Sequence, residues 1–240
     1  MKYDNDNGRL PWPWNEDAWN DERRRKECAH ERYLDAVSNE ANGCTPEHVK
    51  VAQRLTGLAE GDCNGILRIL DKASLPEGAT VEVEGGEISR LIVRHPDGNL
   101  YECVFDVVRF EDSLMGAWQA FLLHQTWRYL LPLIWHGNGY RRYYIYERED
   151  LNRLLTGANE YGWMPGRRFE AITSRNADTV DFAPELIKAN ERYYVSCCYW
   201  TDWGGLIREH AELTLKEDLL DEFVSFYDET IWPYQCGIIY

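Results

Sequence analysis

The sequence predicts an α+β fold with a mostly antiparallel sheet, an N-terminal helical segment and a buried central helix over about residues 113–131. Three observations support this class. Helical periodicity dominates the chain before residue 75, strand-like alternation begins near residue 80, and the longest apolar run separates that region from a second strand-rich region. Helices and strands are therefore segregated along the chain, whereas a parallel sheet needs them to alternate.

Three helices are predicted in the N-terminal segment. The first begins at Asn15 or Asp17, both good capping residues, and runs to about Asn39 with a mostly charged surface. The second begins at Thr45-Pro46, because threonine caps helices and proline suits the first helical position. The third covers about residues 62–73. Residues 1–14 read as a flexible arm. Residues 15–240 read as a single domain, with two sub-lobes (15–110 and 140–240) sharing the central helix as the alternative.

The central helix is predicted within the apolar run Leu114–Trp135. Polar residues interrupt this run, and an arginine such as Arg128 at the centre of a membrane costs roughly 2.5–3.5 kcal/mol on insertion scales. We therefore interpret the run as a buried helix and not as a membrane span.

Strands are expected on both sides of this helix, because apolar residues alternate between turn-forming clusters there. A meander is predicted over 80–84, 88–94 and 100–110. After the central helix, the predicted elements are a strand over 140–146, a short helix over 149–155, a strand near 167–174, a hairpin over 192–215 and a last strand over 235–240.

The chain is strongly acidic. Its 240 residues contain 26 Lys and Arg against 41 Asp and Glu, which gives a formal net charge of -15. Nucleic-acid affinity depends mainly on cationic contacts to phosphates, so we expect a basic protein partner and no nucleic acid or membrane. The seven cysteines are odd in number and lack paired zinc-type spacing, and the chain starts without a signal-like segment. We therefore expect a cytoplasmic protein with free thiols and no cofactor.

The turn of the predicted hairpin, residues 201–205, combines aromatic, acidic and glycine residues. Trp200 and Trp203 lie on or beside the hairpin tip, where polar residues are usual. Their rings either pack back onto the body of the protein or stay exposed as a contact surface for a partner. We expect Trp200, Asp202 and Trp203 to contact that partner.

An acidic segment follows the hairpin tip. Between residues 209 and 229 there are eight acidic residues and one lysine, so this segment supplies -7 of the net charge. Carboxylates beside exposed aromatic residues are what an inhibitor or immunity protein uses to cover the basic active site of a toxin or nuclease. This pattern predicts a non-enzymatic, acidic protein-binding module. The acidic residues expected to face the partner are Glu212, Glu217, Asp218, Asp221 and Glu222.

The alternative function is an enzyme or a small-ligand-binding protein. His124 and Arg128 stand four residues apart on the central helix, and the hairpin alternation that buries Leu213 also buries Glu209. A buried carboxylate requires a cation, for which Arg128 is the candidate, and the cluster is either a structural ion pair or a polar pocket. The loop after the helix adds further cationic candidates, namely His136, Arg141 and Arg142.

Cys63 is a second catalytic candidate. It lies at the predicted start of the third helix, where the helix dipole lowers the pKa of a thiol and activates it as a nucleophile. Over Asp62 to Gly65 this placement resembles that of the cysteine in papain-like cell-wall peptidases. The resemblance implies a histidine on a neighbouring strand, for which His95 is the candidate.

A structural zinc site in the N-terminal helices is a weaker hypothesis. Cys44 and His48 are spaced as CxxxH, and Cys28 and His30 lie close by. On a helix, however, Cys28 and His30 point to different sides, so the spacing does not favour a metal centre.

Overall fold

The computed structural model describes residues 16–56, 63–84, 90–101, 103–129, 142–160, 180–201 and 204–233. Within these ranges the chain forms an α+β fold with an N-terminal helix and an antiparallel sheet, which confirms the predicted class. The helices are α1 (Glu16–Asn39), α2 (Pro46–Thr56), α3 (Cys63–Ile69), α4 (Leu114–Tyr129) and α5 (Arg148–Glu160), with a 3-10 turn at Val104–Asp106.

The described residues form ten strands. They are β1 (Ala73–Ser74), β2 (Thr80–Glu84), β3 (Arg90–Arg94), β4 (Leu100–Tyr101), β5 (Arg109–Phe110), β6 (Tyr143–Ile145), β7 (Glu185–Ala189), β8 (Arg192–Thr201), β9 (Gly205–Lys216) and β10 (Leu219–Pro233).

These strands form two sheets. The larger sheet has the order β1-β5-β10-β9-β8-β6, and β7 pairs with the part of β8 that β6 leaves free. The smaller sheet is the meander β2-β3-β4. Long, consecutive, antiparallel β8, β9 and β10 make up most of the larger sheet, so local hairpin connections build its centre.

Helices cover both faces of the larger sheet. On one face α4 packs with α2 and α3 in the main apolar core, which includes the fully buried Trp118 and Phe121. On the other face α1 packs through Ala29 and Tyr33, and α5 packs further along the sheet through Leu151. Because successive residues of a strand face opposite sides, alternate residues of β8 and β9 enter different cores.

Most predicted elements are present. Helix α1 ends at the predicted Asn39, α2 begins at Pro46, and β2 and the β8–β9 hairpin occupy the predicted positions. Helix α4 is buried along most of its length, as its apolar sequence predicted. The predicted arm, the strand near 167–174 and the last strand lie outside the described residues, and the division into sub-lobes stays a prediction.

One predicted strand is wrong in extent, and one strand was not predicted. The third meander strand, expected over 100–110, is only two residues long in β4, and the chain then turns at Val104–Asp106 and joins the larger sheet as β5. Strand β10, with 15 residues, was not predicted at all. Its carboxylates have low strand propensity, and its three register shifts break the alternation by which strands are found.

No helix among the described ranges is both long and apolar enough to cross a membrane.

Gly116, in the first turn of α4, gives a test of this packing. Alanine normally stabilises a helix by up to about 1 kcal/mol relative to glycine. At Gly116, however, a Cβ would overlap the backbone carbonyl of Glu111, which is not free to move as a side chain is. We expect Gly116→Ala to lower the free energy of unfolding by about 1–3 kcal/mol in urea titration. An unchanged or increased stability would contradict the described start of α4.

Candidate functional site

Trp200, expected at the exposed hairpin tip, lies instead in the core. It belongs to β8, is 1% exposed, and packs with Leu206, Trp232 and other apolar residues beneath α5. Its strand neighbours are Tyr143 on β6 and Leu206 on β9. The prediction that Trp200 is an exposed partner contact is therefore wrong, because α5 covers this face of the sheet. Asp202 and Trp203 lie outside the described residues.

Glu212, assigned to the acidic surface, is also buried. Its side chain accepts hydrogen bonds from Arg32 Nε at 2.8 Å and Arg32 Nη2 at 2.6 Å, and from Arg192 Nη1 at 2.7 Å. The hydrogen bond to Glu212 raises the pKa of Arg32 above its usual range. The prediction that Glu212 adds to the negative electrostatic field that attracts a partner is wrong. Two arginines neutralise its charge where α1 meets the sheet.

The other four predicted acidic residues are exposed. Glu217 and Asp218 form the two-residue turn between β9 and β10, and Asp221 and Glu222 follow on β10. Both turn residues are left-handed, with φ of 52° for Glu217 and 66° for Asp218. Asn-Gly is the usual choice for such a turn. Aspartate also tolerates this conformation, whereas it costs most other residues, including glutamate, roughly 1–2 kcal/mol.

Strand β10 continues this acidic surface. Beyond Leu219, which pairs with Arg109, its outer edge has no strand partner among the described residues. Tyr227 is 46% exposed on this strand and is followed by exposed Asp228 and Glu229. We call the exposed residues Glu217, Asp218, Asp221, Glu222, Tyr227, Asp228 and Glu229 the acidic edge. Tyr227 was missed because its strand was missed.

Glu209 is buried as its place in the hairpin alternation predicted. It is 1% exposed and accepts hydrogen bonds from Gln125 Nε2 at 2.9 Å and from Arg142 Nη1 at 2.6 Å. Arg142 also donates to Gln125 Oε1 at 3.1 Å and lies over the ring of Tyr199, 4.3 Å from its centroid. The cation observed beside Glu209 is thus Arg142. The side chain of the expected Arg128 is outside the described residues, as are His136 and Arg141.

The Glu209 cluster has the features of a structural ion pair. Burial raises the pKa of Glu209, and the charge of Arg142 opposes this rise. Its hydrogen-bond partner Gln125 is also buried, so both side chains are shielded from solvent in the described part of the chain. His124 lies next to this cluster with its ring stacked on Phe223 at 3.7 Å between centroids. The arrangement ties α4, β9 and the start of β6 together.

The remaining candidates do not gather into a site among the residues that the structure describes. Cys63 is the first residue of α3, as predicted, but its side chain is not described. His95 pairs with Asp97 in the β3–β4 turn, 2.8 Å from Nδ1 to the carboxylate. His48 Nδ1 accepts the backbone N–H of Thr45 at 3.1 Å. Within the described ranges no three His, Cys, Asp or Glu side chains are placed to hold a metal ion.

Comparison with known proteins adds no assignment to this geometry. No protein family model, no curated protein and no solved structure matches this chain significantly.

Removing the charge of Glu209 tests the structural role of its cluster. We expect Glu209→Gln to lower the free energy of unfolding by about 2–4 kcal/mol, because it leaves the largely buried guanidinium of Arg142, 18% exposed, without its counter-charge. Glu222→Gln is the matched control. Glu222 is exposed and lies 3.4 Å from Arg192, so its loss should change stability by less than about 1 kcal/mol. Equal effects in urea unfolding would contradict the difference in burial.

Proposed function

We propose that this protein is a non-enzymatic binding module whose acidic edge covers a basic surface of a protein partner, as an inhibitor or immunity protein does. The observation that carries this proposal is the acidic edge itself. Four exposed carboxylates, Glu217, Asp218, Asp221 and Glu222, stand together on one hairpin that projects a half-exposed tyrosine further along the same strand.

The β9–β10 turn displays two of these charges. Glu217 and Asp218 adopt the left-handed conformation that a two-residue hairpin turn requires, as Asn190 and Glu191 do between β7 and β8. In the β9–β10 turn both side chains are acidic and exposed, so the turn adds two negative charges to the acidic edge.

The dimensions of the acidic edge suit a protein partner. From Asp221 to Glu229 the strand extends about 25 Å at roughly 3.3 Å per residue, which is comparable with the width of a protein interface. Carboxylates distributed over this length create a local negative field that accelerates association with a basic surface.

The register of β10 indicates how a partner would be held. Three register shifts between β9 and β10, after Leu220, Ser225 and Thr230, bend and twist the strand. Bulges and charged side chains on an edge strand disfavour the addition of another strand. We therefore expect the partner to contact the side chains of the acidic edge and not to extend the sheet.

Tyr227 is the expected anchor of the interface. Its ring lies 5.6 Å from that of His30 on α1 and 5.5 Å from that of His210 on β9, measured between centroids. These contacts restrict its orientation before binding, which reduces the entropy lost on association. Tyrosine is also among the residues that most often dominate interface energies.

The first test of the proposed function neutralises the turn and the start of β10 together. Immobilised wild-type protein should retain a basic partner from a lysate of its source cells at low salt and release it at high salt. The variant Glu217→Gln, Asp218→Asn, Asp221→Asn, Glu222→Gln should lose the partner at low salt. Quantitative mass spectrometry of the retained proteins gives the measurement.

The control carries the same change of charge elsewhere. Glu47→Gln, Glu77→Gln, Asp97→Asn and Glu149→Gln remove four exposed carboxylates from α2, the β1–β2 loop, the β3–β4 turn and α5. This control should retain the partner as the wild type does. Loss of the partner with both variants would show a general effect of net charge, and retention by both would remove the acidic edge from the interface.

A second test concerns the anchor. We expect Tyr227→Ala to weaken binding of the captured partner by about 2 kcal/mol, the loss typical of an interface hot spot. Leu100→Ala is the matched control, because Leu100 is 50% exposed and lies on β4 of the other sheet. Titration calorimetry should detect the difference, and equal affinities for the two variants would exclude Tyr227 as an anchor.

A further inference from the structure

A cleft of about 240 Å³ lies between α1 and the β8–β10 part of the larger sheet. Four arginines line it, three from α1 and one from the start of β8. They are Arg24, Arg25, Arg32 and Arg192. The chain as a whole has a net charge of -15, so this positively charged cleft differs in sign from the rest of the protein.

The arginines outnumber the carboxylates of the cleft. Glu212 and Glu222 are its two acidic lining residues, so four positive charges face two negative charges and leave a formal excess of two. Glu222 is 56% exposed at its side chain and lies 3.4 Å from Arg192, whereas Glu212 is buried beneath the arginines. Because Arg24 and Arg25 are exposed, their positive charges lie nearer to solvent than the negative charge of Glu212.

Glu212 fixes two of the four guanidinium groups. It holds Arg32 through two hydrogen bonds and Arg192 through a third. A guanidinium has five N–H donors, so both groups keep donors that Glu212 does not use. Because their positions are set before any ligand arrives, little side-chain entropy is lost when these donors bind an anion.

The other two arginines, Arg24 and Arg25, carry the positive charge that the two carboxylates lining the cleft do not balance. Arg25 forms no ion pair with any residue in the described part of the chain. Arg24 pairs with Asp21 at 3.5 Å, and both side chains are more than two-thirds exposed, so this pair is weak. Both residues can turn toward a ligand without breaking a strong interaction.

We propose that this cleft binds a small phosphorylated molecule by its phosphate group. A phosphate monoester carries close to two negative charges at neutral pH, which matches the formal excess of two. A planar guanidinium can donate two parallel hydrogen bonds to two oxygens of one phosphate. Several arginines around one cleft can therefore bind a phosphate group together.

The size and floor of the cleft define the rest of the ligand. A volume of about 240 Å³ is below the usual range for drug-sized ligands, so the cleft accommodates a phosphate and a group of a few carbon atoms. Val224 provides apolar surface for that group, whereas the ring of Phe223 lies on the opposite face of β10, stacked on His124. This site is distinct from protein binding by the acidic edge, although Glu222 borders both, and it does not depend on the proposed function.

The experiment uses the exposed thiol of Cys28, which lines the cleft, as a local reporter. Inorganic phosphate and glycerol 2-phosphate are the probes. The rate of Cys28 alkylation by iodoacetamide, read on its own peptide by mass spectrometry, should fall in a saturable manner as either probe is added. Cys44 outside the cleft serves as the internal reference, and its rate should not change. Calorimetry gives the affinity independently.

The matched variants are two arginines of the same helix. Arg25 lines the cleft, whereas Arg23 pairs with Glu27 outside it at 3.6 Å. Arg25→Ala should weaken probe binding about tenfold or more, the effect of losing a charge-assisted hydrogen bond, and Arg23→Ala should change it less than about twofold. Both residues are exposed, so both variants should fold, which circular dichroism verifies.

Three results would overturn the proposal. The first is no saturable protection of Cys28 by either probe in the wild type. The second is equal weakening by Arg25→Ala and Arg23→Ala, which would indicate non-specific attraction to the helix. The third is equal competition by succinate, a dicarboxylate of similar charge, which would exclude selectivity for phosphate. None of these results bears on the acidic edge, whose test uses a protein partner.

Discussion

Strand β9 carries a buried carboxylate on each of its faces, and the packing of both helical layers depends on how these two charges are neutralised. Glu209 faces α4 and is held by Arg142 and Gln125. Glu212, three residues later, faces α1 and is held by Arg32 and Arg192. A carboxylate without such partners would be too costly to bury, so each of these arginines must reach its place for the fold to close.

The consequences differ between the two faces. The Glu209 cluster is closed by α4 and serves to join elements that are distant in sequence. The Glu212 cluster lies at the border of α1 and leaves its arginines partly exposed, 41% for Arg32 and 30% for Arg192. A structural ion pair on this face thereby also organises the cleft, while the charges that remain on the hairpin surface form the acidic edge. The β9–β10 hairpin therefore contributes residues to both the cleft and the acidic edge.

Sequence reasoning located the hairpin and correctly placed Glu209 in the core, since its alternation with Leu213 fixes the side of the strand. The same alternation puts Glu212 on the opposite side of the strand, which the sequence alone predicts to be surface. Alternation tells which residues share a face, but not that α1, more than 150 residues earlier, covers that face. Trp200 was misplaced for the same reason, because α5 lies over it. The identity of Arg142 as the partner of Glu209 is likewise a matter of long-range packing. Strand β10 was missed because its bulges and carboxylates remove the periodic signal.

The most direct measurement of this account is amide hydrogen exchange in two isosteric variants, Glu212→Gln and Glu209→Gln. If each carboxylate secures its own face of the sheet, Glu212→Gln should reduce protection in α1 around Ala29 and Tyr33 and leave α4 protected. Glu209→Gln should do the reverse, with the loss in α4 and β6. Loss of protection in the same elements for both variants, or no loss in either, would contradict the claim that β9 anchors the two layers separately through its two buried charges.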